Sequence, residues 1–398
     1  MDLKTESLNL HKDNGGKLEV KSKVKIENQH DLSLAYTPGV AYACKEIEKN
    51  QDDVYTYTSK SNMVAVITDG SAVLGLGNIG PYAAIPVMEG KSILMKELAG
   101  VDSIPICLKT QDVEEIIKTV KYLEPTLGAI NLEDISAPRC VEIERRLIQE
   151  MDIPVFHDDQ HGTSIIVGAA FINVSRLTKM NLKDMTVVMS GTGAAGSMIA
   201  KMLKRIGVGK IYAYDITGVI DKKRYNEYNF LIKELLDEGT YDTPSNHDNT
   251  LASILKGANG FVGVSAPNLV TKEMVKSMAK NPVVFAMANP VPEISYDDAK
   301  DAGAYIAGSG RSDYPNQINN VLAFPGLFKG ALAVRARKIN EEMKLAASKA
   351  IAYLIKDDEL TPDYIVPGAF DKRVVEAVSK AVADEAIKTG VARIKEQK

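Results

Sequence analysis

The chain has 398 residues, of which 45% are hydrophobic and 25% charged, and its net charge at pH 7 is -4. That length accommodates two domains with full cores, and the slight acidity argues against nucleic acid or an anionic membrane as a bulk partner. The longest apolar stretches, such as Ser164–Ile172, are too short to cross a bilayer. The charged N-terminus lacks the apolar region of a signal peptide. Cys44, Cys107 and Cys140 lack metal-type spacing and read as unpaired thiols of a cytoplasmic protein.

The first thirty residues are polar and Lys-rich and read as an arm with one short helix. Apolar runs and helical periodicity then alternate. Met63–Thr68 reads as a strand, Lys91–Ala99 as a helix, Ile104–Lys109 as a strand and Val113–Leu123 as a helix. Ala129–Leu132 follows as a strand, Ala137–Glu150 as a helix and Pro154–Phe156 as a short strand. A long helix from about Thr163 to Leu177 leads to a second unit, with strands at Thr186–Ser190, Lys210–Tyr214, Gly260–Val264, Val283–Ala288 and Ala304–Ala307. From Gly330 the chain is Ala-, Lys- and Glu-rich with helical spacing. The pattern predicts an α/β fold of two domains built on mostly parallel sheets. An N-terminal substrate and metal domain spans 1–162 and a Rossmann-type dinucleotide-binding domain 163–324, with C-terminal helices 325–398 packing on the N-terminal domain.

The pattern GxGxxG occurs twice, so alone it decides nothing. Gly75–Gly80 is followed at once by Pro81, with no acidic residue closing a second strand, and reads as a turn beside the site. Gly191-Thr192-Gly193-Ala194-Ala195-Gly196 follows a strand and opens a helix, and Asp215 ends the next strand about 20 residues on. Every element of a dinucleotide-binding fingerprint is there in order. Asp215 would accept from the ribose hydroxyls and repel a 2′-phosphate, which favours NAD over NADP. Lys222 and Lys223 stand a few residues on and leave NADP open.

Two acidic clusters fall directly after strands, where open α/β sheets bind ligands: Glu133-Asp134 and Asp158-Asp159. Hard carboxylate oxygens at two adjacent strand ends suit Mg²⁺ or Mn²⁺. Side chains of consecutive strand residues point to opposite faces, so Glu133 and Asp134 converge only if the strand is already turning. His157 and His161 are one helical turn apart and raise a zinc site as the rival, but lack the intervening Glu of the metalloprotease motif. A structural role suits them better.

Several segments resemble the malic enzymes: Asp31–Val40, Thr68–Gly80, Glu89-Gly90-Lys91, Asn131–Ile135, Phe156–Thr163, Ala288-Asn289-Pro290 and Asn319–Gly326. The likeness is collinear over nearly the whole chain and closest to the short bacterial form. It implies oxidative decarboxylation of L-malate to pyruvate and CO₂, reduction of NAD(P)⁺, and a requirement for Mg²⁺ or Mn²⁺. Carried over by motif, Lys91 is the general base and Tyr36 the general acid. Glu133, Asp134 and Asp159 ligate the metal, with Asp158 in a supporting catalytic role. Asn289 and Asn320 hold substrate, and Asn289 also faces the nicotinamide. The resemblance and the arm suggest a homodimer, with residues that could cross between subunits. One departure stands out: larger relatives carry an arginine against the malate carboxylate where this chain has Ala72, so the anchor must be another cation or the amides around Gly70–Ser71.

A basic lysine must drop from about 10.4 to about 7–8, a shift of about 4 kcal/mol. From the residues alone, Lys91 also fits a surface lysine at a helix start, and Tyr36 a ring packed under Pro38. The competing functions are decarboxylation of another 2-hydroxy acid such as tartrate, malolactic conversion, and a non-catalytic nucleotide sensor. A sensor has no need of the Lys91–Tyr36 pair.

Overall fold

The structure, a computed structural model, describes residues 2–73 and 75–395. Two sheets carry the chain. The first has strands β1 (Met63–Thr68), β2 (Asp102–Cys107), β3 (Ala129–Leu132) and β4 (Val155–His157), all parallel in the order β2-β1-β3-β4. The second joins β5 (Thr186–Ser190), β6 (Lys210–Asp215), β7 (Gly218–Val219), β8 (Gly260–Gly263), β9 (Val283–Ala286) and β10 (Ile306–Ser309) in the order β10-β9-β8-β5-β6-β7. Only β7 runs antiparallel there, against β6. The run Val64–Ile67 is fully buried, as expected of a parallel strand covered on both faces.

Ahead of β1 come four helices, α1 (Leu3–Asn14), α2 (Gln29–Ala35), α3 (Val40–Lys49) and α4 (Val54–Tyr57), and none of them buries a residue. The first sheet is flanked by α5 (Gly80–Ala99), α6 (Val113–Tyr122) and α7 (Arg139–Glu150). The expected start of α5 at Lys91 was eleven residues late: the helix opens at Gly80 with Pro81 in its first turn, and runs through Pro86. Lys91 therefore sits mid-helix and buried, not at an exposed helix start.

The helix α8 (Asp158–Thr178) begins five residues before the expected Thr163, so Asp158 and Asp159 occupy its first turn, not a loop. It is apolar all round and buried from Ser164 to Val174, the signature of a central helix, and it runs across the expected 162/163 boundary. On one side it packs against α9 (Ala194–Ile206). Four short helices follow, α10 (Phe230–Asp237), α11 (Leu251–Leu255), α12 (Lys272–Lys276) and α13 (Tyr296–Asp301). The last three are α14 (Phe324–Ala333), α15 (Glu341–Tyr353) and α16 (Lys372–Lys388). α15 packs on α8, and both α14 and α16 reach α5. One continuous apolar core links the two sheets through Ile165, Ile166 and Phe171 of α8. A second core, around Val188 and Phe261, fills the other face of the second sheet. Among the described residues no helix is long and apolar enough to cross a membrane.

Candidate active site

The carboxyl ends of β3 and β4 and the middle of α5 meet at one point. Lys91 Nζ lies 3.0 Å from Glu133 Oε1 and closer still to Asp158 Oδ2, and its side chain is 9% exposed. The ring of Phe324 lies 4.6 Å from the ammonium and seals that side. The other oxygen of Glu133 accepts from Asn131 Nδ2 at 2.7 Å.

Asp134 takes φ 53°, so the backbone turns into the left-handed region directly after β3. That turn lets two consecutive acids face one point, which a continuing strand forbids. Single ligand oxygens of Glu133, Asp134 and Asp159 lie within 4.8 Å of one another. The Asp134 N–H donates to Asp159 Oδ2 at 2.7 Å, and the Asp134 carbonyl accepts from Ala72 N at 2.9 Å. Asn320 packs on the first turn of α8: a Cβ at Gly162 would meet Asp158 Oδ1 at 2.0 Å and Asn320 Cβ at 2.8 Å.

Burial alone would lower Lys91, but Asp158, Glu133 and Asp159 outweigh it and hold the ammonium above its ordinary value. The expected drop toward 7–8 is not what this arrangement produces, because Lys91 is the cation that offsets the cluster. Glu133 and Asp158 are pushed up, first by burial and then by neighbouring carboxylates. Positive charge added beside those carboxylates would relieve both effects.

His157 is fully buried, and burial lowers its pKa, leaving a neutral ring. His161 Nε2 lies 3.0 Å from Glu144 Oε2, with Lys344 Nζ 3.1 Å from its Nδ1. The other Glu144 oxygen accepts the His157 N–H at 2.9 Å. The His161 ring and the His157 backbone N–H thus share Glu144 at the start of α8, and the two imidazoles do not converge on a zinc. Glu144 went unnoticed in the sequence, although a carboxylate on the buried Cys140, Ile143, Leu147 stripe of α7 was a signal.

Arg139 was also missed. Its Nη2 lies 3.0 Å from both Asp69 Oδ2 and Ser71 Oγ and 2.9 Å from Ser136 Oγ, while Nη1 donates to the Gln111 carbonyl. That cation is committed to holding the 69–72 loop against the 134–139 segment. The amides suggested as an anchor are engaged as well: Gly70 N donates to Thr68 Oγ1 and Ser71 N to Asp69 Oδ1, each at 2.9 Å.

Tyr36 caps α2 and is 66% exposed, and among the described residues its hydroxyl makes no hydrogen bond. Within one chain it does not join the Lys91 cluster. It does not pack under Pro38 as a buried ring either.

In the second sheet Gly191 has φ 101°, and a Cβ on Gly196 would meet the Gly191 carbonyl at 2.0 Å. Both positions therefore need glycine. Gly193 faces open space at the start of α9, where Ala194, Ala195 and Gly196 present helix N–H groups. Asp215 ends β6, and its Oδ2 accepts from Thr192 Oγ1 at 2.9 Å while its Oδ1 accepts from Thr217 N at 2.7 Å. Arg224, unnoticed in the sequence, donates to the Thr217 carbonyl at 2.8 Å, closer to the Asp215 loop than Lys222 and Lys223 in bonding terms. The first GxGxxG is a turn: a Cβ on Gly75 would lie 3.4 Å from Pro290 Cδ, so the loop after β1 touches the exposed Asn289-Pro290 loop after β9. That contact joins a loop of the first sheet to a loop of the second.

Residues 15–148 match the family model of the malic enzyme N-terminal domain, and residues 160–391 that of the malic enzyme NAD binding domain. The chain belongs to the malic enzyme family. It is 56% identical to a bifunctional malic/malolactic enzyme of Bacillus subtilis, over 99% of this chain and 95% of that one. It is 53% identical to an NAD-dependent malic enzyme of Geobacillus stearothermophilus, over 95% and 78%. The structure matches the crystal structure of an NAD-dependent malic enzyme from Thermotoga maritima with a TM-score of 0.90 and 46% identity, covering 96% of this chain and 99% of that one. A malic enzyme is an NAD(P)-linked, divalent-metal-dependent oxidoreductase, and this chain's residues fit both groups. Three converging carboxylates are a hard donor set for Mg²⁺ or Mn²⁺, and the space at Gly193 is one that a side chain would fill.

Proposed function

We propose that the chain oxidises and decarboxylates L-malate to pyruvate and CO₂, with NAD⁺ as the favoured acceptor. The observation that carries this reading is the buried Lys91 held between Glu133 and Asp158, at the edge of the three-carboxylate cluster. Glu133, Asp134 and Asp159 would hold Mg²⁺ or Mn²⁺; Gly191–Gly196 and Asp215 would hold the dinucleotide. When bound, the metal supplies Lewis acidity at the substrate oxygens and the nicotinamide accepts the hydride.

The chain's own residues do the rest. Lys91, in its neutral amine form, takes the C2 hydroxyl proton as hydride leaves C2, and Asp158 holds the ammonium so formed in place. Loss of the carboxylate as CO₂ leaves an enolate, which takes the proton back from Lys91 as the enol; Tyr36 then protonates C3 while Lys91 removes the enol O–H proton, giving pyruvate. Asn320, against the first turn of α8, and Asn289, across the cleft, would orient the acid. Organising these groups beforehand is what lowers the barrier.

The exposure of Tyr36 supports a homodimer. Helices α2 to α4 bury nothing of their own and expose Leu34, Tyr36, Tyr42 and Tyr57. So short a helical arm does not hold its shape without a partner surface. A second copy covering that face would bring Tyr36 to the other subunit's Lys91. We also propose the division 1–162, 163–324 and 325–398, and a cytoplasmic location in keeping with three free cysteines.

The likeness to a bifunctional malic/malolactic enzyme supports a second reading, conversion of malate to lactate without net NADH release. Quantifying pyruvate and lactate from malate, NAD⁺ and Mn²⁺ tests both. Pyruvate equal to NADH supports the first; lactate without NADH supports the second; neither product overturns both.

A further inference from the structure

Glu293 is fully buried, follows the Asn289-Pro290 loop, and belongs to none of the groups above. Its carboxylate gathers the ends of three strands of the second sheet. Oε1 accepts from Ser265 N at 2.8 Å and Ser265 Oγ at 3.1 Å, just beyond β8. Oε2 accepts from Ala288 N at 3.1 Å, the residue before Asn289 and just beyond β9. Ser265 Oγ in turn lies 2.8 Å from Ser190 Oγ, the last residue of β5, next to the glycine turn. The backbone repeats the tie, with Val270 N on the Glu293 carbonyl at 2.9 Å and Asn268 N on the Pro292 carbonyl at 3.0 Å. Gly263 makes room for it: a Cβ there would come within 2.4 Å of the Glu293 carboxyl carbon.

Strand order says which part of the cofactor this assembly faces. Asp215 at the end of β6 suits the adenosine ribose, and the glycine turn after β5 suits the pyrophosphate. The dinucleotide therefore extends the other way, over the ends of β8 and β9, where Val264 walls the turn: a Cβ on Gly191 would meet its carbonyl at 2.7 Å. We propose that Glu293 is a positioning residue for the nicotinamide half of the cofactor. It fixes the 264–268 and 287–291 loops, and with them Asn289, relative to the glycine turn. The inference rests on the dinucleotide site at Gly191–Gly196.

Both carboxylate oxygens face a backbone N–H, so glutamine in either flip must set an NH₂ against a buried donor. In Glu293→Gln the affinity for NADH, followed by its fluorescence, should fall about tenfold or more. Affinity for ADP-ribose, which lacks the nicotinamide, should stay within about twofold of the parent. Ser265→Ala keeps the backbone donor and removes only the hydroxyl bridge, so it should show the same selective loss at smaller size and fold even if Glu293→Gln does not. Affinity for Mn²⁺ alone should not change in either variant. Equal losses for NADH and ADP-ribose would mean general loosening and overturn the proposal. Unchanged NADH affinity in both variants would overturn it too. If the parent protein bound neither NADH nor ADP-ribose, the dinucleotide site itself would be wrong.

Discussion

The backbone N–H of Asp134 donates to Oδ2 of Asp159 at 2.7 Å, tying the turn after β3 to the first turn of α8. One hydrogen bond thus sets two of the three converging carboxylates relative to each other. Asp159→Ala removes both a ligand oxygen and this tie. Affinity for Mn²⁺, measured from the free-ion electron paramagnetic resonance signal, should fall by at least the roughly 10–100-fold that losing a group behind a metal ligand costs. Unchanged Mn²⁺ binding would remove Asp159 from the ligand set.

Tyr36 and Lys91 belong to one site only if the arm of one subunit reaches the other. Purified Tyr36→Phe and Lys91→Ala proteins should each be nearly inactive with malate. After mixing and subunit exchange, a fraction of dimers carries one intact site, and activity should return. If the mixture stays as inactive as its components while sedimentation shows dimers that exchange, both residues act within one chain.

Asp215 meets Thr192 and Thr217, and Arg224 lies behind the same loop. Asp215→Ser removes the charge that repels a 2′-phosphate and leaves Arg224 as a nearby cation. The ratio of kcat/KM for NADP⁺ over NAD⁺ should rise about tenfold or more, roughly 1.4 kcal/mol of discrimination. A constant ratio would exclude Asp215 as the ribose partner.

Glu144 is pulled down to about 2: burial raises it, but His161 and then Lys344 outweigh that. Its folded value lies below the ordinary 4.5, so its stabilisation is complete above about pH 4.5 and is lost as the pH falls toward 2. A shift of that size corresponds to stabilisation on the order of 3 kcal/mol. Glu144→Gln should lower Tm at pH 7 and flatten the decline of Tm between about pH 4.5 and 3. Parallel Tm curves for the two proteins would show that this carboxylate is not what acid removes.

Much of the architecture could be read from apolar runs. Met63–Thr68 and Ala129–Leu132 have their expected bounds, because a buried parallel strand is a continuous apolar segment whose ends meet turn residues. The glycine turn after β5 was legible because Gly191 and Gly196 are each demanded by local geometry. Helix starts were harder. Pro81 and Pro86 hid the first half of α5, although proline is at home in a first turn and the second is tolerated by the packed helix. Asp158 and Asp159 looked like a loop because acids at a helix start resemble acids in a turn. The ties made by Glu144, Arg139 and Glu293 join different elements, and no regular local spacing announces such pairs. The raised Lys91 was likewise invisible, since it depends on three acids converging from two other elements.

The most direct test follows absorbance at 340 nm with the purified protein, L-malate, NAD⁺ and Mn²⁺, for the parent chain and for Lys91→Ala. The account predicts NADH formation by the parent that EDTA abolishes, and a rate lower by about 10²–10⁴-fold in the variant. NADH formation that survives EDTA, or a Lys91→Ala protein turning over malate at the parent's rate, would contradict it.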